Sequence, residues 1–236
     1  MSVTFVRLVV GAAAVALIAS CGSGSDSKSS QQTGDLRTDI VRTLSADEAA
    51  NLAVALAQLP ATAQVSHIVP DGPIVALHYV NAGTSGSVAV ADFIEFDTAH
   101  AITARDTLES PLRVESNLIG ASVTIPEAAN NEAEAANKRA VIAFITTLNA
   151  SPDQAMTSLS EDFVDHAFGD NRGGWLTRMN GMHFTFGIKS IAAWDDIVGV
   201  AITVAVTRGG TQTFLPGYDF FRLRDGKIVE RWNLNY

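Results

Sequence analysis

The sequence has a single cysteine, Cys21, among 236 residues. One thiol excludes an intramolecular disulfide, and it also excludes zinc sites built from several cysteines. Positive charge is scarce as well, since 16 Lys and Arg stand against 25 Asp and Glu. Such an acidic chain repels phosphate backbones and anionic lipid headgroups. The composition therefore argues against a nucleic-acid partner and against electrostatic attachment to a membrane.

The motifs of several enzyme classes are also absent. The two Gly-Gly pairs, at 173–174 and 209–210, lack the Lys and the strand-to-helix setting of a phosphate-binding loop. The chain has no Gly-x-Ser-x-Gly elbow and no cysteine nucleophile in its main part. Its His and Asp residues show no spacing typical of metal ligands. We therefore expect neither a cofactor nor a metal.

No apolar run is long enough to cross a bilayer, which needs about 20 residues. The longest, residues 8–18, follows Arg7 and is typical of the apolar part of a secretory signal peptide. It ends in Ile18-Ala19-Ser20-Cys21, which resembles the bacterial lipobox. We expect cleavage after residue 20 and attachment of a lipid such as palmitate at Cys21. The alternative is an ordinary signal peptide followed by a free cysteine.

The stretch after Cys21 carries no apolar side chain between residues 22 and 35. Gly- and Ser-rich sequence of this kind behaves as flexible coil, so residues 21–35 are predicted to be a tether. Without residues 1–20, 15 Lys and Arg remain against 25 Asp and Glu, a formal charge of −10. The expected location is the cell envelope, on the extracytoplasmic side of a bacterial membrane, with the lipid as the anchor.

Two related halves are predicted on either side of residues 126–131, the least regular stretch after the tether: residues 36–126 and 132–236. In the second half, apolar periodicity predicts a helix over 138–149, and Ser151-Pro152-Asp153-Gln154 is a typical helix start. That second helix should reach about Leu159, and a third should cover 175–182. Alternating residues then predict strands over 188–195, 200–208, 212–223 and 227–234, with turns at 209–210 and 225–226.

The first half repeats the strand part of the second. Residues 65–80 align with 191–206 without a gap, 90–96 align with 217–223, and Arg105 aligns with Arg231. The shared Asp-Phe pair and the shared Arg favour a duplication over chance. A capping box at Ser45-Ala46-Asp47-Glu48 predicts one helix, to about Leu59. Equivalents of the second half's first two helices are missing, so the first half is predicted to be incomplete.

Two motifs resemble the nuclear transport factor 2-like superfamily, in particular its SnoaL-like polyketide cyclase branch. They are Phe163-Val164-Asp165-His166 and the closing residues 218–233, YDFFRLRDGKIVERWN. The resemblance implies an α+β fold with a cone-shaped, curved antiparallel sheet, helices on its concave face and a pocket between them. It implies no particular reaction, because this superfamily contains enzymes, binding subunits and inactive members. The general base of the cyclases is replaced by Asn233, and the usual His beside the Trp is Arg231.

Asp219 and His166 are the candidate catalytic residues. Asp219 shares a strand face with Phe221 and Leu223, and an apolar setting raises the pKa of a carboxyl group. It either transfers a proton or forms a structural ion pair with Arg231, as the equivalent Asp92 and Arg105 suggest. His166 either exchanges protons near neutral pH or bonds a loop carbonyl. His67, His78, His100 and His183 are interpreted as ordinary surface or core residues.

The predicted pocket wall surrounds the third helix. An apolar cluster there is core in most proteins, but in this fold the third helix lines the pocket. The wall residues we expect are Trp175, Met179, Met182, Phe184, Phe186, Phe221, Arg231 and Asn233.

Three functions follow from these features. The first is a tethered protein that binds a small, mostly apolar molecule in the second half. The second is a cyclase, isomerase or dehydratase in which Asp219 is the base, His166 the acid or orienting group and Arg231 stabilises an oxyanion. The third is a non-catalytic envelope docking module, in which the halves pack sheet to sheet as an internal pseudo-dimer or the chain dimerises.

Overall fold

The computed structural model describes residues 44–83, 86–111, 131–181, 184–208 and 211–235. The lipobox, Cys21, the tether, most of the predicted boundary between the halves, His183, the 209–210 turn and Met182 lie outside these ranges. No helix within the ranges is long and apolar enough to cross a membrane.

The described residues of the first half form one helix and a four-stranded antiparallel sheet, in the order β1-β2-β3-β4. Helix α1 packs its apolar face on β2 and β3, on the outer side of this sheet. Its capping box is confirmed, since Ser45 and Glu48 bond each other's backbone N–H groups. The elements are α1 (Ala46–Ala57), β1 (Ala63–Asp71), β2 (Ile74–Gly83), β3 (Gly86–Phe96) and β4 (Ile102–Pro111).

In the second half, the residues that the structure describes form three α-helices and a six-stranded sheet in the order β6-β5-β10-β9-β8-β7. All its strand pairs are antiparallel except β5 with β10. A short 3-10 turn, Met156–Ser158, follows α3. The elements are α2 (Asn131–Ala150), α3 (Pro152–Ala155), β5 (Leu159–Asp165), β6 (Asp170–Asn171), α4 (Arg172–Asn180), β7 (Phe184–Trp194), β8 (Ile197–Arg208), β9 (Thr211–Arg224) and β10 (Lys227–Asn235).

The α+β class is confirmed, with a curved sheet that carries its helices on one face. Register shifts in β7 and β10 mark bulges, which bend strands. The helices pack on one face of the six-stranded sheet through a core that includes Phe144, Trp175 and Phe221. Strands β7 to β10 match their predicted ranges to within a few residues.

The two sheets pack face to face through a second apolar layer. Phe93 of the first sheet and Tyr218, Phe220 and Trp232 of the second are buried there. Gly199 marks the closest approach, because a Cβ on it would come within 3.1 Å of Phe220 and 3.2 Å of Phe93. The central strands of the second sheet are therefore buried on both faces, which is typical of a sandwich.

Polar contacts fasten α2 to both halves. The Asp71 carboxylate, at the end of β1, accepts hydrogen bonds from Lys138 Nζ at 2.7 Å and from the backbone N–H of Ala193 at 2.9 Å. Asp71 thus joins the first sheet, α2 and β7 at one point.

Three expectations about the elements need correction. The helix after Ser151 ends at Ala155 instead of near Leu159, and the Phe163–His166 motif begins in strand β5, whose burial pattern does not alternate. Helix α4 begins at Arg172, because the Asn171 side chain caps its first N–H groups, and ends at Asn180. Helix α2 begins at Asn131, seven residues earlier than the apolar periodicity indicated.

The ungapped alignment of the two hairpins is wrong by three residues. Leu77 pairs with Asp92 and Val200 pairs with Asp219, so Leu77 corresponds to Val200. The alignment had matched Leu77 to Thr203. Strands buried on both faces carry too little alternation to determine their register. The alignment of β3–β4 with β9–β10 agrees with the pairing, since Asp92 faces Thr107 as Asp219 faces Asn233.

A histidine pair lies between the sheets. His67 and His78 face each other across β1 and β2, with 3.1 Å between their Nδ1 atoms, and their rings stack on Phe220. Neither Nε2 atom has a hydrogen-bond partner among the described residues. Burial lowers the pKa of His78 to about 3. Burial, together with His78, Arg222 and His166, also lowers the pKa of His67.

From this pair we predict that the free energy of unfolding decreases in acid. An unfolded His has a pKa of about 6.5, so below that pH the unfolded chain binds protons that the folded pair excludes. The folded state is thus destabilised as the pH falls, by about 2 kcal/mol between pH 7 and pH 5 for His78 alone. The His67→Phe/His78→Phe double variant should lose this part of the dependence in urea unfolding measured at both pH values. The His100→Asn variant, altered at a part-exposed histidine, should retain it, and equal slopes in all three proteins would contradict the prediction.

Candidate functional site

Five charged side chains form a chain of ion pairs on the helix side of the second sheet. Arg231 donates to Asp219 Oδ1 from Nε at 2.9 Å and from Nη2 at 2.8 Å, and to Asp165 Oδ2 from Nη1 at 3.1 Å. Arg178 Nη2 lies 3.2 Å from the same Asp165 oxygen and also bonds Asp170. The order is therefore Asp219, Arg231, Asp165, Arg178 and Asp170.

Five elements bring these side chains together: β5, β6, α4, β9 and β10. Arg231 of β10 lies opposite Phe221 of β9. Asp219 is two residues before Phe221, so its side chain lies on the same face of the sheet. Strand β5 runs parallel to β10 and places Asp165 beside Arg231. Arg178 extends from the last turn of α4. Arg231 faces the helices, whereas Trp232 and Leu234 pack toward the first sheet.

The centre of the network, formed by Asp165, Asp219 and Arg231, lies almost entirely out of water. Asp165 is fully buried, Asp219 is 4% exposed and Arg231 is 7% exposed. Burial raises the pKa of Asp219, although Arg231 and the Asn233 amide oppose that shift. Burial disfavours charge on Arg231 as well, but the two neighbouring carboxylates raise its pKa and keep it protonated. The predicted ion pair between Asp219 and Arg231 is thus present.

A narrow cavity adjoins the network. Its volume is about 10 Å³, which is close to the space that one water molecule needs. Apolar side chains form most of the wall, and Asp219 and Arg231 supply its charged part. The lining residues are Phe144, Ile145, Leu148, Trp175, Met179, Phe186, Ile202, Asp219, Phe221 and Arg231.

Most of the predicted wall residues meet at this cavity. Trp175, Met179, Phe186, Phe221 and Arg231 line it. Two others contact residues of the wall. The ring centroids of Phe184 and Phe186 are 6.0 Å apart, and the Asn233 amide donates to Asp219 Oδ1 at 2.7 Å. The residue types that alternation and helical periodicity singled out are therefore brought together.

His166 is not among the lining residues. Its ring stacks on Trp232, with the centroids 4.7 Å apart, and its Nε2 lies 3.6 Å from Glu230 Oε2. Its backbone N–H donates to the carbonyl of Arg231. The structure does not bring His166 and Asp219 to one face of the sheet, so an acid–base pair of these two is not supported by the geometry.

Sequence reasoning missed Arg178 and the roles of Asp165 and Asp170. The helical spacing of Trp175 and Arg178 was a usable signal, because residues three apart share a helix face. The parallel pairing of β5 with β10 had no signal, since it joins segments more than 60 residues apart. Within the described ranges, no group of three or more His, Cys, Asp or Glu side chains has the arrangement of a metal site.

The first half contains an equivalent cluster. Asp92 accepts hydrogen bonds from Arg105, from Thr107 and from Tyr79 Oη at 3.1 Å. Thr107 occupies the position that corresponds to Asn233. Burial and the neighbouring Asp92 raise the pKa of Tyr79. The Arg105 side chain, however, is 33% exposed, against 8% for Arg231.

The two clusters allow a matched prediction. Arg231→Met leaves Asp219 and Asp165 buried without their shared cation, so we expect a loss of about 3–5 kcal/mol in the free energy of unfolding. Arg105→Met should cost about 1 kcal/mol, because Asp92 keeps two hydroxyl donors and the pair is partly solvated. Urea unfolding of both variants at pH 7 measures the difference.

The pH dependence adds a further check on this prediction. The loss in Arg231→Met should shrink as the pH falls, because the stranded carboxylates can then take up protons. Equal losses in the two variants would contradict the assignment of Arg231 as the centre of the network.

Comparisons with known proteins found structural similarity alone. No protein-family model and no curated protein match the chain. AclR, a putative hydroxylase from Streptomyces galilaeus, is 22% identical, with a TM-score of 0.41 over 44% of this chain and 76% of its own. An epoxide hydrolase of the LEH-like type from M. tuberculosis is 22% identical, with a TM-score of 0.40 over 44% and 84%. An NTF2-like protein of unknown function from Cytophaga hutchinsonii is 17% identical, with a TM-score of 0.37 over 42% and 89%.

Proposed function

We propose that this chain is an exported, membrane-tethered protein that binds a small, mostly apolar molecule in the cavity of its second half. The observation that carries the proposal is the cavity itself, an apolar space between α2, α4 and the sheet with one charged pair in its wall. Ligand pockets combine apolar walls with a few placed polar groups in this way.

Ligand entry requires side-chain movement, since the cavity as it stands holds about one water molecule. Met179 and Leu148 line the cavity, and their side chains are flexible enough to change rotamer. The rings of Trp175 and Phe144 pack against each other, with their centroids 5.7 Å apart. The binding mode we propose therefore keeps the aromatic wall and displaces the aliphatic side chains.

An enzymatic role for Asp219 lacks support in this geometry. A general base needs room for a substrate beside its carboxylate and an acid nearby. Asp219 is bound to Arg231, the adjoining space is small, and His166 lies elsewhere. Arg231 directs its donors at Asp219 and Asp165, so it is not positioned to stabilise an oxyanion in the cavity.

The docking hypothesis has one observation in its favour, the packing of the two sheets against each other. In that arrangement the first half covers the second half's back face, as an internal pseudo-dimer would. A docking surface also needs a sizeable exposed apolar patch. The exposed large apolar residues in the described ranges lie on four different elements: Ile102, Ile142, Val164 and Phe214. They form no patch within one element, so ligand binding is the better supported function.

Ligand binding is tested with toluene as an apolar probe. Toluene should shift the ¹⁵N–¹H NMR signals of residues around Met179 with a Kd of about 1 mM or tighter. Met179→Trp, which fills the cavity, should abolish these shifts, while Ile142→Trp on the exposed face of α2 should leave them unchanged. Shifts that persist in Met179→Trp, or none in the unmodified protein, would refute the proposal.

The tether is tested in cells by replacing the one cysteine. The lipobox at residues 18–21 supports lipidation of Cys21, so Cys21→Ser should move the protein from the membrane fraction to the soluble fraction. Ser23→Ala, two residues further along, is the matched control and should stay with the membrane. A Cys21→Ser protein that remains in the membrane fraction would show that the lipid is not the anchor.

A further inference from the structure

The cavity wall contains an unused hydrogen-bond acceptor. Both recorded donors of Asp219, Arg231 and Asn233, bind its Oδ1 atom. No described residue donates to its other oxygen, Oδ2, although the residue is 4% exposed and lines the cavity. The hydrogen bonds that Asp219 accepts from the described residues thus leave Oδ2 as an acceptor for a group in the cavity.

The same wall contains an unused donor. The Nε1–H group of Trp175 is buried and has no acceptor among the residues that the structure describes. The ring itself is firmly placed, since it is 1% exposed and packs against Phe144 and Phe163. Buried Trp N–H groups usually find a partner.

Building on the proposed function, we propose that the ligand is a small apolar molecule that carries a hydroxyl group. The hydroxyl would donate its proton to Asp219 Oδ2 and accept the N–H of Trp175, and its apolar body would replace the displaced aliphatic side chains. A hydroxyl is both donor and acceptor, so one group satisfies both wall atoms.

Other polar groups satisfy only one of the two atoms. An ammonium group donates to Asp219 but has no lone pair for Trp175. A carboxylate accepts from Trp175 but is repelled by Asp219 and by Asp165 behind it. A hydrocarbon leaves both atoms unpaired, and binding sites built around hydrogen bonds discriminate against ligands that lack the polar group.

The test compares four probes that share a ring: benzyl alcohol, toluene, benzylamine and benzoate. Each is titrated into the ¹⁵N-labelled full chain, and the Trp175 indole signal is identified by its disappearance in Trp175→Phe. We expect benzyl alcohol to bind about tenfold more tightly than toluene and more tightly than either charged probe. The Trp175 indole N–H signal should shift with the alcohol by more than it shifts with toluene.

Trp175→Phe keeps an aromatic ring in the wall and removes the N–H donor together with part of the indole volume. The lost volume affects both neutral probes, so the quantity to compare is the ratio of their affinities, and the preference for the alcohol over toluene should fall to about threefold or less. Equal affinities for benzyl alcohol and toluene in the unmodified protein would overturn the hydroxyl assignment and leave the apolar pocket standing. Failure of all four probes to bind would instead refute the pocket itself.

Discussion

The ion pairs of Arg231 are the constraint on which the second half depends. One guanidinium group bridges Asp219 of β9 and Asp165 of β5, and Arg178 extends the network to α4 and β6. Removing Arg231 leaves Asp219 buried without a cation, which costs far more than a surface ion pair contributes. The sheet, its added parallel strand and the helix over the cavity are thus held in one arrangement by a single side chain.

The two halves place the same Asp–Arg pair in different surroundings. In the first half Asp92 is satisfied by two hydroxyl groups as well as Arg105, and the Arg side chain reaches solvent. In the second half the Asn233 amide stands in place of Thr107, a second carboxylate, Asp165, binds Arg231, and the helices cover the pair. The second pair therefore has a buried oxygen available at a cavity wall, while the first is satisfied by its own strand neighbours.

This arrangement favours binding over catalysis. The network ties Asp219 to a cation and to the Asn233 amide through one oxygen, which keeps the carboxylate in place and leaves the other oxygen as an acceptor. Trp175 adds a donor in an aromatic wall. A site with one acceptor, one donor and apolar surroundings selects a ligand by hydrogen bonding and shape, without a proton having to move.

The sequence by itself determined the α+β class, the capped starts at Ser45 and Ser151, strands β7 to β10 and five residues of the cavity wall: Trp175, Met179, Phe186, Phe221 and Arg231. Periodicity and capping are local properties, which residues a few positions apart decide. Only the tertiary structure decided the register of the first hairpin, the strand at Leu159–Asp165, the position of His166 on Trp232 and the size of the cavity. These features depend on pairing and packing between distant segments, and alternation carries little register information in strands that are buried on both faces.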